Sequence, residues 1–264
     1  MSDEDRPEPR LTPGPRLAKG GEERRRFLRT VAVGTGVVCA TLAGLAQHRF
    51  AHASPLLRPP GAIDEEAFLA ACIKCGQCVQ VCPIQAIELA DLTRGLSNGT
   101  PYIVARDQAC DFSCDATQCI LACPTGALSH EIDKKEQVKM GVAALARPDA
   151  CLARKGQGWK GPARGAGFDG VLRWAEIDRW KAQPIAGHAY DLDICDLCVT
   201  TCPIEGAIAL EPLNPADPAD RRRTPVVKPS CVGCGVCEMM CPVDPVAIAV
   251  TPTPVGREPE RKRS

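Results

Sequence analysis

The stretch Cys72-Ile-Lys-Cys75-Gly-Gln-Cys78-Val-Gln-Val-Cys82-Pro83 leaves this chain few folds to choose from. Its spacing is C-x2-C-x2-C-x3-C-P, the run of thiolates by which four-iron cubane clusters are held. The first three cysteines are close enough in sequence to wrap one cluster. The fourth follows on a short helix, where it reaches a second cluster nucleated by another such run. The proline behind it cannot continue the helix and turns the chain.

The run recurs with variations. Cys110-x3-Cys114-x4-Cys119-x3-Cys123-Pro124, Cys195-x2-Cys198-x3-Cys202-Pro203 and Cys231-x2-Cys234-x2-Cys237-x3-Cys241-Pro242 follow it, each trailed by a short apolar segment. Internal repetition is therefore the main organising fact. The third copy is one cysteine short, and Cys151 is the one cysteine outside the leader with no motif. It follows the apolar run from Met140 to Leu145, as the other motifs follow theirs. Cys151 is expected to supply the missing ligand, with residues 152–194 inserted after it. Closing a longer loop costs only modestly more than closing a short one. The alternative is an unligated thiol and a three-cysteine site.

Under the crossed rule of two-cluster proteins, sixteen cysteines divide into four quartets. Cys72, Cys75, Cys78 and Cys123 form the first, and Cys82, Cys110, Cys114 and Cys119 the second. Cys151, Cys195, Cys198 and Cys241 form the third, and Cys202, Cys231, Cys234 and Cys237 the fourth. Because each motif lends its last cysteine to its neighbour, motifs must fold in pairs. The expected architecture is α+β: tandem dicluster ferredoxin-like modules over 54–146 and 147–251, stabilised by four [4Fe–4S] clusters. Residues 1–53 are a leader, and 252–264 a solvated tail.

Seventeen cysteines stand against only three Trp, two Tyr and five Phe, so apolar packing alone is a thin basis for the fold. Disulfides and zinc are the competing staples. Cysteines three apart on a tight turn make poor disulfide partners, and the Cys-Pro endings have no disulfide rationale. Structural zinc sites pair two C-x2-C knuckles and do not use runs of four cysteines. Formal net charge is zero, with no basic footprint for nucleic acid. No Gly-rich phosphate loop, nucleophile–base pair or nicotinamide fingerprint is present, so no catalytic residue is assigned.

The leader opens with a Pro-, Gly- and charge-rich segment and continues as Arg24-Arg25-Arg26-Phe27-Leu28-Arg29 before an apolar run from Thr30 to Ala46. It resembles a twin-arginine export signal, closing on Ala51-His52-Ala53 as a cleavage pattern before Ser54. The alternative is an uncleaved membrane anchor, the run being marginal in length for a span. Cys39 lies in this run and is left out of the chemistry.

Downstream, Asp64 is expected to cap a helix over 65–71. Short strands are expected at 84–89, 101–105, 204–210 and 243–250. The insert holds Trp159, Phe168, Trp174, Trp180 and Tyr190. Its pattern predicts a helix over 170–182, capped by Asp169 and stopped by Pro184, that shields the third cluster or, alternatively, docks a partner.

From Arg58 the text RPPGAIDEEAFLAACIKCGQCVQVCP, then LSNGTPYIVARD and CILACPTGAL, resembles the NapG/MauM family of ferredoxin-type proteins. The resemblance implies a periplasmic four-cluster electron carrier, not an enzyme, peripheral to a membrane-bound quinol-oxidising iron–sulfur protein. It would pass electrons to a periplasmic redox enzyme or cytochrome, either a nitrate reductase or a methylamine-utilisation system. An assembly or scaffold factor for such an enzyme is the other reading. The C-x3-C-x4-C spacing and the long insert depart from the family pattern.

Overall fold

The computed structural model describes residues 19–51 and 55–252, apart from 115, 116 and 179. Residues 52 and 53 of the cleavage pattern and all of the tail beyond residue 252 lie outside the described residues. The chain divides into two compact units, Met1–Ala53 and Ser54–Ser264. In the first, α1 (Lys19–Ala51) is a single helix whose described side chains are exposed. Its stretch Glu23–Gly44, with a mean hydropathy of 1.5, is long and apolar enough to cross a membrane. A signal sequence near an N-terminus passes the same test.

In the second unit, α2 (Glu65–Ala71) forms as the sequence predicts. Asp64 Oδ1 accepts the amide of Ala67 at 3.0 Å, and Glu65 and Glu66 place negative charge in the first turn. The helix buries Phe68, over whose ring the guanidinium of Arg58 lies at 4.7 Å. Arg58 is itself buried, paired with Glu65 and donating to Thr100 Oγ1 at 2.8 Å and to the Pro101 carbonyl at 2.9 Å. It thereby ties the start of this unit to the segment that leads into the second motif.

A one-turn helix follows, α3 (Gln77–Gln80), then the antiparallel pair β1 (Glu88–Leu89) and β2 (Pro101–Tyr102). The strand expected over 84–89 keeps only its last two residues. Its first half turns around Cys82: the Ala86 amide donates to Cys82 Sγ at 3.3 Å, and Gln85 adopts a positive φ of 53°. The strand expected over 101–105 is likewise cut to Pro101–Tyr102 with a bridge from Ile103 to Leu57, because Asp107 bonds back to Val104 in a turn. A second bridge joins Ala62 to Leu128 beyond α4 (Gln118–Leu121).

The second half has the same plan with longer strands. β3 (Gly141–Leu145) runs antiparallel to the last strand of the chain, pairing Leu145 with Ile248. Dividing the halves between Leu128 and Gly141 keeps the Ala62–Leu128 bridge and the β3 pairing whole.

The insert carries β4 (Trp159–Pro162), β5 (Val171–Leu172), α5 (Ala175–Asp178), β6 (Gln183–Pro184) and β7 (Ala189–Leu192). β4 pairs with β7 and β5 with β6, all antiparallel. The helix predicted over 170–182 is therefore wrong. Only one turn survives, and Pro184 pairs in a strand where it was expected to end a helix. The reason is tertiary. The side chain of Gln108 donates to the Val171 carbonyl and accepts its amide, both at 2.9 Å, and Ile185 donates to the Gly170 carbonyl at 2.9 Å. Those groups are then unavailable to a helix ladder.

After the insert come α6 (Leu197–Thr200), the hairpin of β8 (Ile208–Pro212) and β9 (Arg223–Val227), α7 (Val236–Met239), and β10 (Ile248–Pro252), the partner of β3. The strands expected over 204–210 and 243–250 both begin late, at Ile208 and Ile248. Before the first of these, Ala207 bonds back to Ile204 in a turn.

Candidate functional site

Each of the one-turn helices α3, α4, α6 and α7 carries the third or equivalent cysteine of its motif: Cys78, Cys119, Cys198 and Cys237. Each ends one or two residues before the cysteine that precedes proline. A single turn is too short to be stable alone. It is held here by packing in pairs, α3 on α4 and α6 on α7.

That packing brings cysteines from different motifs together. Cys72, Cys75 and Cys78 line one cavity of about 360 Å³, counting its open mouth, and the fourth cysteine on its wall is Cys123. Cys151, Cys195, Cys198 and Cys241 line a second, of about 370 Å³. Cys202, Cys231, Cys234 and Cys237 line a third, of about 280 Å³. Cys119 lies within electrostatic reach of Cys114 and Cys82, and Cys110 within reach of Cys119. Three of the four expected groups thus line a cavity together, with Cys151 buried in the second of these cavities; for Cys82, Cys110, Cys114 and Cys119 the structure gives these pairwise approaches. Cys39 is exposed on α1, away from all of them in sequence and structure unit.

The second cavity, that of Cys151, Cys195, Cys198 and Cys241, is walled by Leu152, Ala153, Pro225, Val243 and Ile248, among others, and by no described residue between 154 and 194. The start of the insert touches this quartet, the Gln157 carbonyl accepting the Cys195 amide at 3.0 Å, but the described residues of the segment 170–182, expected as a shielding helix, line none of the cavity. Arg173 donates its amide to Asp111 Oδ2 at 3.2 Å, and Gln108 holds Val171, so the insert grips the loop that contains Cys110.

The thiols sit where a bare thiolate is disfavoured. Burial pushes Cys78 up to about 11, opposed by the Val79 amide and reinforced by Cys72, Cys75 and Cys123. Burial followed by the charges of Cys114 and Cys82 takes Cys119 to about 12. Cys195 rises to about 12 through burial, with the Leu197 amide opposing and Cys241 and Cys151 adding. Cys234 also reaches about 12 by burial, against the Val236 amide and with Cys202 and Cys231. Cys198 is raised by burial and then by Cys195, Cys151 and Cys241. Cys123 goes the other way: desolvation is outweighed by the amides of Leu128, Thr125 and Gly126 and the Thr125 hydroxyl.

Four such thiols become ligands only when a strongly positive centre offsets their mutual repulsion and desolvation, as bound metal does. Among the described residues no group of three or more His, Cys, Asp or Glu is gathered around a single-ion position. A tetrahedral ion with metal–sulfur bonds near 2.3 Å would need its sulfurs about 3.8 Å apart. Main-chain amides aimed at sulfur, such as Ala86 on Cys82 and Leu128 on Cys123 at 3.5 Å, are the groups that tune a cluster's potential.

The chain was compared with known proteins. Residues 71–127 and 193–245 match the family model described as a 4Fe-4S dicluster domain. Cys151 falls outside both matched stretches. The chain is 38% identical over 247 residues to the ferredoxin-type protein NapG of Escherichia coli (strain K12), covering 92% of this chain and 91% of that one. It is 35% identical over 240 residues to the methylamine utilization ferredoxin-type protein MauM of Paracoccus denitrificans, covering 88% and 89%. MauM of Methylorubrum extorquens is 35% identical over 248 residues, covering 91% and 94%. No solved structure matches the chain.

Proposed function

The chain belongs to the NapG/MauM family of ferredoxin-type proteins, and on that premise we propose that it binds four [4Fe–4S] clusters and relays single electrons in the periplasm. What supports this reading is that twelve of the cysteines line three cavities in fours, each four drawn from more than one stretch of sequence, and that Cys119 lies within reach of Cys114 and Cys82. A bound cluster supplies reversible one-electron chemistry. The protein's own part is to hold each cluster with four sulfurs, to aim amides at them and to limit water.

The donor in this reading is a membrane-bound quinol-oxidising iron–sulfur protein. The acceptor is a periplasmic redox enzyme or cytochrome, of nitrate reduction or of methylamine utilisation. Arg24-Arg25 near the start of α1, followed by exposed Val31, Val33, Val37, Val38 and Leu42, supports export by the twin-arginine route. That route carries folded chains, as an inserted cluster requires. Replacing both arginines by lysine is expected to keep the chain out of the periplasm.

The central test is anaerobic. The purified chain should hold about sixteen iron and sixteen sulfide per molecule, four of each for every quartet. Once reduced, it should be reoxidised by the periplasmic acceptor, and substituting cluster ligands should stop that reaction. A colourless, sulfide-free chain that remains folded refutes the proposal. Acceptor turnover that needs the chain but is unchanged by ligand substitution points to a scaffold.

A further inference from the structure

One of the places where the two halves of the second unit meet joins particular quartets. The Cys110 amide donates to the Cys234 carbonyl at 3.3 Å, so a ligand residue of the second quartet touches a ligand residue of the fourth through the main chain. Beside it the Ala109 amide donates to Met239 Sδ at 3.2 Å. Gly235 lies against Ala105 so closely that an added Cβ would stand 2.5 Å from the Ala105 Cβ, and its φ of +92° also favours glycine.

Two arginines clamp the contact. Arg106 reaches the far end of α7, donating to the carbonyls of Glu238 and Cys241 at 2.7 Å and of Val243 at 2.9 Å. It thus satisfies carbonyls that the end of α7 leaves unbonded. Arg164, from the insert, donates to the Arg106 carbonyl at 2.9 Å and to that of Met239 at 3.2 Å.

The remaining neighbours are within each half. α3 packs on α4, bringing Cys78 of the first quartet near Cys119 of the second. α6 packs on α7, bringing Cys198 of the third near Cys237 of the fourth. Cys151, Cys198 and Cys241 share an apolar cluster with Cys237, Cys202 and Cys231, and with no cysteine of the first half.

We propose that the four clusters stand in single file, first–second–fourth–third, with the one step between halves made across the Cys110–Cys234 contact and held in register by Arg106. This rests on the four-cluster reading given above. Each hop reoxidises one cluster as it reduces its neighbour, one electron at a time, with no bond made or broken. The first and third quartets are the ends of the file, where donor and acceptor exchange electrons.

The file is tested by pulsed EPR on the full chain reduced with dithionite, reading the magnetic coupling between clusters. Cys75→Ala with Cys198→Ala leaves the second and fourth clusters, which should be strongly coupled. Cys114→Ala with Cys231→Ala leaves the first and third, whose coupling should be lost. An uncoupled second–fourth pair, or a coupled first–third pair, overturns the order. Arg106→Gln keeps every ligand, so it should retain full iron while weakening only the coupling between halves. Unchanged coupling there removes Arg106 from its positioning role. Iron and sulfide below four clusters in the unaltered chain would overturn the four-cluster reading itself. A full count with the wrong couplings overturns the file alone.

Discussion

Cys151 belongs to no spaced motif, yet it is buried against Cys195, Cys198 and Cys241. Counting points to it: three motifs have four cysteines, one has three, and Cys151 is the one thiol outside the leader left over. Cys151→Ala should lower bound iron by about a quarter while leaving the first-half spectrum intact, as read by iron analysis and EPR. Unchanged iron would leave Cys151 a buried bystander. Arg58, Arg106 and Gln108 were invisible to the same reasoning. Their partners are main-chain carbonyls or side chains brought near only by folding, and an arginine or glutamine in a polar stretch announces none of them.

Among the elements, legibility followed how local the cause was. α2 was read correctly to its ends because Asp64 and the acidic first turn act within one turn of helix. Asp64→Ala is expected to destabilise by about 1 kcal/mol, seen as an earlier thermal loss of cluster absorbance with no change in iron at low temperature. The helix predicted over 170–182 failed because Gln108, far away in sequence, takes up the main chain at Val171. The post-motif strands were placed but overdrawn. After Cys82 and Cys202 the chain first turns, and pairing begins only afterwards.

For the whole molecule, the insert is a strap from the third motif back to the loop of the second. Its own centre is Trp174, buried and stacked on His188 at 4.6 Å, with Tyr190 edge-on to the same imidazole at 4.6 Å. Trp174→Ala should cost about 3 kcal/mol of local stability and raise hydrogen exchange in residues 106–113. Exchange in residues 72–82 should hold constant. Loosening confined to the insert itself would show that the strap bears no load on the second quartet.

The order of residues was enough to foresee the three groups of four thiols that line cavities together, because ligand spacing and the crossed sharing of the last cysteine are properties of short segments. It was also enough to give the repeat and the helix before the first motif. It could not say which groups are neighbours across the two halves, nor where the insert would lie. Those follow from a glycine with no side chain at a close approach, and from an arginine, Arg106, whose acceptors are carbonyls more than a hundred residues away. Such contacts exist only after the chain has packed, so no local pattern encodes them.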